Sequence, residues 1–432
     1  MRDSIEYLAE LTEKEKALEF FLTRESGVHL EWRDTKPFLE KSYEEKALSV
    51  RYLNNKGLCG ISYTLDLTKE GIGAAIERAS FLSKKGLPAI YPELPEGYPE
   101  VKEIEYSEPQ REELLKNLEK EREYLFSKSY IERLERESFS FSKEEIFLIR
   151  EGRVLSLSIP EFTFFVSVVA KSDKKSASSF AYRSETSFKR INFLEIAKEA
   201  ERKARALSLT EKGKALKVAV LFPPEASLDL LSLLSFSFKG DEVFKGRSFL
   251  KDKLGKEVFS KKLNIIDDGL YPELPETRPF DDEGMPQGRK ILVKSGVVEG
   301  FIWDAYYGKL KGLSSTGNAR RPDLTSPPKV DFTNLFIEAG EKTPLELLTL
   351  HNFTFEVLEV LGAHTANPVS GDFSVGVSGI LYEKGEPVKY LSEMGLSGNI
   401  FELFRDLEVG EDLTFFGNTG SPSLLFPLMD LG

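Results

Sequence analysis

Residues 362–379 read GAHTANPVSGDFSVGVSG. A Val/Phe/Ser alternation of strand type runs through the stretch. It is broken by Gly362, Gly371, Gly376 and Gly379, with Gly385 close behind. Asn367-Pro368 and Ser370-Gly371-Asp372 are turn signals. Glycine inside a strand leaves backbone without side-chain cover, so the strand bulges or another backbone comes close. Two readings stand side by side. One is a tightly turned β-barrel corner with no ligand. The other is a surface that grips an extended peptide, with Asn367, Gly371, Asp372, Phe373, Ser374 and Gly376 as candidate contacts.

Outward from this stretch, the chain beyond residue 240 is strands, glycines and turns almost to its end. Helical intervals are expected near 343–350 and 399–405. LKVAVLF (216–222) reads as a strand, and Pro223-Pro224 starts a helix running from Glu225 to about Leu234. The expected C-terminal domain, residues 211–432, is mostly β and barrel-like.

Residues 1–210 form the second expected domain, of α+β type. ALEFFLTR, VHLEWRD, ALSVRYL and GLCGISYT, all within 16–64, are short strand-like runs. A helix follows at 68–85, with Thr68 as cap and Ile72, Ile76, Ala79 and Leu82 at helical spacing. A proline-rich connector (86–109) leads to a charged helix at 110–128. Strands are expected again in SFSFSKEEIFLIREG, RVLSLSI, FTFFVSVVAK and ASSFAYRS. A helix capped by Asn192 closes the set. Strands then helix, twice, points to an internal duplication, although two ordinary α+β lobes give the same pattern. The fold class is α+β.

The chain has 432 residues, enough for two domains. A net charge of −12 argues against a nucleic-acid surface. Cys59 is the single cysteine, which rules out an internal disulfide framework and fits a reducing cytosol. It lies in an apolar run and reads as a small buried hydrophobe. Arg2, Asp3 and Glu6 interrupt any leader-like apolar run. The apolar stretches 162–170 and 228–238 fall short of the roughly 20 residues a membrane span needs. The expectation is a cytoplasmic protein. Abundant Lys and Glu with scarce Gln, Met and Cys suit a thermophile.

Catalytic chemistry is sparse. Three histidines, His29, His351 and His364, offer no HExxH, and no two share a helix turn. His29 is placed beside a strand, and His351 and His364 are placed in loops, satisfying backbone. There is no G-x-S-x-G, no phosphate loop and no GxGxxG. Asp281-Asp282-Glu283-Gly284 offers oxygens for Ca²⁺ or Mg²⁺, yet three consecutive acids cannot all point one way in a strand, and a solvated turn after Pro279 is the expected form. Ser315-Thr316-Gly317-Asn318 precedes Arg320-Arg321. Thr316 and Asn318 are candidate donors to a substrate backbone or carboxylate, and a surface turn with solvated arginines is the competing reading.

Several stretches together carry a family resemblance. ANPVSGDFSVGVSG (366–379) and LSEMGLSGNIFELF (391–404) resemble the PmbA/TldE branch of the TldD/PmbA family. So do FKGRSFLKDKLGKEVFS (244–260), the run from RPFDDEG to GNARR (278–321), and TNLFIEAG (333–340). The resemblance spans most of 215–432, and residues 1–200 agree only in general layout. It implies a metallopeptidase family whose TldD branch binds zinc through HExxxH on the helix after the strand that LKVAVLF resembles, with a cysteine as third ligand. Here the matching residues are Pro224, Glu225, Ala226, Ser227, Leu228 and Asp229, and no cysteine follows Cys59. Only Glu225 keeps its position, and a first-turn acid favoured by the helix dipole is the simpler account of it.

The resemblance therefore implies a metal-free TldE/PmbA-like subunit with no catalytic residue of its own. Zinc is expected in a TldD-like partner of a heterodimer acting on unfolded or extended peptides. It places DDEG and residues 315–318 along the central cavity. The alternative is a homodimer of gyrase-modulator type that binds peptides or proteins without proteolysis.

Overall fold

The computed structural model describes residues 2–102, 104, 106–362 and 365–432. Strand makes up 42% and helix 24%, and the two segregate along the chain, so the fold is α+β as expected. The amino-terminal part is one seven-stranded antiparallel sheet. Its central strands, Leu18–Arg33 and Ile131–Arg150, pair with each other from Glu19↔Arg150 to Trp32↔Glu137. Each continues outward through a hairpin partner, Lys36–Leu53 or Arg153–Lys171, and then a third strand, Leu58–Thr64 or Ser176–Glu185. Each set is preceded by a helix (Arg2–Lys14, Arg111–Phe126) and followed by one (Lys69–Ser83, Phe193–Leu209). Helix, three strands, helix thus occurs twice, which is the repetition the strand pattern suggested.

The strands are longer than their sequence punctuation implies. No turn occurs at Glu25-Ser26-Gly27; the strand passes straight through. A Cβ on Gly27 would meet the Phe141 carbonyl at 2.7 Å, so glycine here serves strand–strand contact. The turn comes at Asp34-Thr35, both left-handed (φ 46° and 65°), as a two-residue hairpin loop requires. RVLSLSI and FTFFVSVVAK likewise merge into one strand through Pro160. Pairing with Ser176–Glu185 begins only at Phe162, so the proline lies where that edge is open. Thr68 and Asn192 cap their helices as expected, accepting from Gly71 N and Glu195 N. The first helix, Arg2–Lys14, was not expected from the sequence.

Alternation divides the sheet into two faces. Phe20, Leu22, Leu48 and Val50 pack under the helices Arg2–Lys14 and Lys69–Ser83. Phe139, Phe141, Phe162 and Phe164 pack under the other two. The opposite face, carrying Glu19, Phe21, Thr23 and Glu25, turns toward the carboxy-terminal part, and Phe21 and Leu148 share a small cluster with Leu324.

The carboxy-terminal part contains a closed five-strand barrel. Its order is Leu424–Leu431, Leu216–Phe222, Phe353–Leu361, Asp372–Glu383 and Glu386–Asn399, and Leu396↔Leu431 joins the last strand to the first. A six-stranded sheet running from Val297–Val298 to Thr414–Phe416 packs with the barrel over one continuous core that includes Phe222, Leu231, Phe238, Ile265 and Phe404. Two short helices inside the strand-rich region, Gly240–Phe244 and Ala305–Lys311, escaped the sequence pattern. No helix among the described residues is long and apolar enough to cross a membrane.

Candidate functional site

The helix Phe193–Leu209 runs past the amino-terminal end of the helix Pro224–Ser235. Proline at that end fixes the first helical φ and donates no N–H, which suits a first-turn position. Glu199, Arg202 and Lys203 share one face of the first helix, being three and four residues apart. They meet Pro224 and Glu225 in a cleft of about 210 Å³ that Arg183 and Phe416 also line.

Ion pairs fill this cleft. Lys203 Nζ donates to Glu225 Oε2 at 2.6 Å and lies 3.7 Å from Glu199. Arg183 donates to Glu199 at 2.8 Å while its guanidinium covers the Phe416 ring at 4.3 Å. Arg202 reaches both oxygens of Glu356, at 3.0 and 3.2 Å, and Tyr382 donates its hydroxyl to the same carboxylate. Asp229, one turn beyond Glu225, is held above the usual carboxylate range by burial and then by the Glu225 charge.

Family models described as PmbA/TldA metallopeptidase domain 1, central domain and C-terminal domain match residues 18–83, 102–208 and 215–432. The chain belongs to the PmbA/TldD family. It is 33% identical over 256 residues to an uncharacterised protein of Methanocaldococcus jannaschii, a match covering 58% of this chain and 60% of that one. It is 28% identical over 224 residues to the metalloprotease PmbA of Escherichia coli O157:H7, covering 51% and 47%. These matches span about half the length of the curated relatives. Among solved structures, TldE of Thermococcus kodakarensis is similar in fold, with a TM-score of 0.85 at 21% identity over 99% of this chain and all of that one.

In the PmbA/TldD family the start of the helix Pro224–Ser235 is where the resemblance puts HExxxH in the zinc-binding branch. The residues present do not fit zinc. Pro224 carries no donor, Asp229 offers only oxygen, and the Glu225 carboxylate already has an ammonium on it. Among the described residues no group of three or more His, Cys, Asp or Glu is placed to hold a metal ion.

The other candidates lie apart from this cleft. Asn367 is exposed, and its side chain accepts from Val369 N and Ser370 N in a local turn. Gly371 is buried at φ +80°, with the Phe401 ring 2.5 Å from where a Cβ would stand. The exposed Asp372 carboxylate accepts from Asn399 and is held below its usual range by that bond and one from Ser370. Phe373 is core, and Ser374 is exposed. From Gly376 onward both edges of the strand are occupied, by Phe353–Leu361 and by Glu386–Asn399. Peptide cannot add along 376–379. Among the described residues the 372–375 stretch of this strand lacks a strand partner on one side, but there the Asp372 carbonyl accepts from Asn367 N, Asp372 N donates to Ser370 Oγ and the Ser374 carbonyl accepts from Thr365 Oγ1. His29 lies within a strand, 3.9 Å from Glu31, and not beside one. His351 is in a loop, and His364 falls outside the described residues.

DDEG is not a solvated turn. Asp281, Asp282 and Glu283 are all buried. Asp281 accepts from the backbone N–H of Glu283, Met285 and Ala319, Asp282 from Arg321 N, and Glu283 from Ala305 N. Burial and the neighbouring Asp281 push Glu283 up to about 8. Nor are Thr316 and Asn318 free donors. Thr316 donates to Asn318 Oδ1, and fully buried Asn318 donates to Asp267 and to the Asp331 carbonyl. Both segments brace loops internally, and Arg320 and Arg321 are buried with them.

Sequence reasoning missed Lys203, Arg202 and Arg183. The signal for the first two was present as Glu199-x-x-Arg202-Lys203 on a capped helix. What it could not supply was the partner: Glu225 is 22 residues away and Glu356 is 154.

Proposed function

We propose that this chain is a metal-free TldE/PmbA-like subunit of a cytoplasmic TldD/TldE-type zinc metallopeptidase complex. It contributes cavity wall and peptide binding, and a TldD-like partner supplies zinc. The observation that carries this reading is Lys203 paired to Glu225. The one carboxylate kept from the zinc-binding pattern is neutralised by an internal ammonium, in a setting with no histidine or cysteine beside it. Such a pair stabilises the cleft in the folded chain without ever needing a metal.

The second reading is a homodimer that binds peptides or proteins without cleaving them. Native mass spectrometry of the tagged protein from its own cells separates the two. A heterodimer near twice the 48.8 kDa chain mass with one zinc is expected. A zinc-free homodimer would overturn the peptidase assignment and favour the binding protein.

A further inference from the structure

The chain carries 71 Asp and Glu against 59 Lys and Arg, yet one surface region reverses that balance. It is built from residues 244–254 and 305–313. Their charged residues are Lys245, Arg247, Lys251, Lys253, Lys309, Lys311 and a single acid, Asp252. The two segments meet where the short helices Gly240–Phe244 and Ala305–Lys311 pack together. The Phe244 ring lies 5.8 Å from the Tyr307 ring, and Lys245 Nζ lies 5.0 Å over Tyr307. Lys251 folds back over this turn, its Nζ 3.7 Å from where a Cβ on Gly246 would stand.

The acids that anchor the region point inward. Asp241 and Glu242 hold Lys245 at 2.6 and 3.6 Å, and Glu242 takes Nε and Nη2 of Arg247, each at 2.6 Å. The side chains of Asp241 and Glu242 are 16% and 7% exposed, whereas those of Lys245 and Arg247 are 36% and 52% exposed. These pairs therefore fix two cations in place and leave them facing water. Asp304 is buried and accepts from Tyr307 N, and Asp331 is taken by Lys239. Lys251, Lys253, Lys309 and Lys311 form no ion pair among the described residues.

Apolar side chains are exposed among these cations. Phe244, Leu310 and Leu313 are 43%, 47% and 52% exposed. Tyr306 and Leu310 are four residues apart and share a helix face. Leu313 follows just past the helix end, its N–H bonded to the Gly308 carbonyl. An apolar centre within a polar rim is the anatomy of an interface. Here the rim has one sign.

We propose that this region docks a short acidic segment of a protein partner. Its carboxylates lie on Arg247 and the lysines, and its apolar side chains lie on Phe244, Leu310 and Leu313. Charge complementarity selects the occupant. Extent selects it too. The region is net positive, so the rest of the chain is more negative than the total of −12. That surround repels a long polyanion or an anionic bilayer, and spares a segment that ends at the rim. The helix Ala305–Lys311 is also too short to present the continuous apolar face of an interfacial membrane helix. The inference goes beyond the subunit assignment, uses none of its residues and needs no zinc.

Fluorescence anisotropy with the full chain tests it, using a labelled peptide of about twelve residues that repeats Glu-Glu-Leu. The comparison probes are the same peptide with Lys for Glu, the same with Ser for Leu, an oligothymidylate and phosphatidylserine-containing vesicles. The Glu-Glu-Leu peptide is expected to bind with Kd below about 200 µM, at least about tenfold more tightly than either comparison peptide. Raising salt from about 0.05 to about 0.5 M should weaken it at least about tenfold. Lys309→Glu with Lys311→Glu should weaken it at least about tenfold at unchanged Tm, because both lysines are exposed and unpaired. Leu310→Ser, also at an exposed position, should weaken binding while leaving its salt dependence in place. Binding that ignores the charge reversal, or no binding up to about 1 mM, would overturn the proposal. So would tighter binding of the oligothymidylate or of the vesicles, which would assign the surface to nucleic acid or to membrane. None of these outcomes touches the heterodimer reading, which the mass and zinc measurement decides separately.

Discussion

Replacing Glu19 with glutamine tests how the two parts of the molecule are held together. Glu19 is fully buried and accepts from Arg51 at 2.8 Å, Arg150 at 2.7 Å and Arg321 at 2.6 Å. The first two come from its own sheet, and the third from the carboxy-terminal loops. Burial pushes the carboxyl up, but the three guanidiniums outweigh it and hold the group at about 2, from an ordinary 4.5. A folded-state value below the unfolded one means stability that is present above about pH 4.5 and is lost as pH falls toward 2. The difference between those two values, at 1.36 kcal/mol for each pH unit, is about 3 kcal/mol. Removing one partner from a buried ion cluster costs about 3–5 kcal/mol by a separate argument, since it strands the other charges. Glu19→Gln is therefore expected to lose about 3–4 kcal/mol at neutral pH, with the gap between wild type and variant closing as pH approaches 2. Urea unfolding followed through the two tryptophans reads it, because Trp32 lies in the amino-terminal sheet and Trp303 in the carboxy-terminal part. A loss below about 1 kcal/mol, or one that does not change with pH, would refute the argument that this cluster is a net source of stability.

Three further outcomes are expected. Lys203→Met strands Glu225 beside Asp229 and should cost about 1–2 kcal/mol after allowing for partial exposure; Lys203→Met with Glu225→Gln should recover most of it in a double-mutant cycle. Glu121 is fully buried with both oxygens unpartnered, and burial followed by the Glu137 charge pushes it up to about 10. Its contribution is thus complete below about pH 4.5 and lost as pH rises toward 10, so Glu121→Gln should raise Tm by an amount that grows with pH across that window. Gly371→Val should unfold the barrel mouth, costing about 3 kcal/mol or more, because it adds positive-φ strain to a clash with Phe401. Gly376→Val, whose Cβ would stand 3.5 Å from Leu361, should fold and, because both strand edges are occupied there, should leave cleavage by the complex unchanged; a lost cleavage would refute the reading that peptide does not pair at 376.

The elements that were legible in the sequence are those set by short-range physics. Thr68, Asn192 and the Pro223-Pro224 step each sit within three residues of the backbone they control. The Val/Phe/Ser run beyond Gly371 is a barrel strand because its alternation matches one buried face. Strand lengths were less legible. Gly27 and Pro160 look like breaks, and what lets each stay in a strand is the neighbour across from it, absent from local sequence.

The charged motifs were the hardest to place, and the reason is common to all of them. DDEG reads as solvated because acids usually are, yet Asp281 accepts three backbone N–H groups contributed by Glu283, Met285 and the distant Ala319. Arg321 looks like a surface arginine until the strand bearing Glu19 is folded beneath it, 302 residues earlier in the chain. The same long-range placement gives the sheet face its two unlike ends. Cross-strand register puts Arg51–Glu19–Arg150 in one row and Glu45–Glu25–Glu144 in another, six residues apart on one face. A fold selected only for stability would gain by pairing these rows or diluting them, as the reverse face does. The acid row has no ion pair among the described residues, whereas Glu276 and Asp282 pair with the arginines nearby, so Glu144→Gln is expected to raise Tm by removing a like-charge contact, and an unchanged or lower Tm would refute that reading.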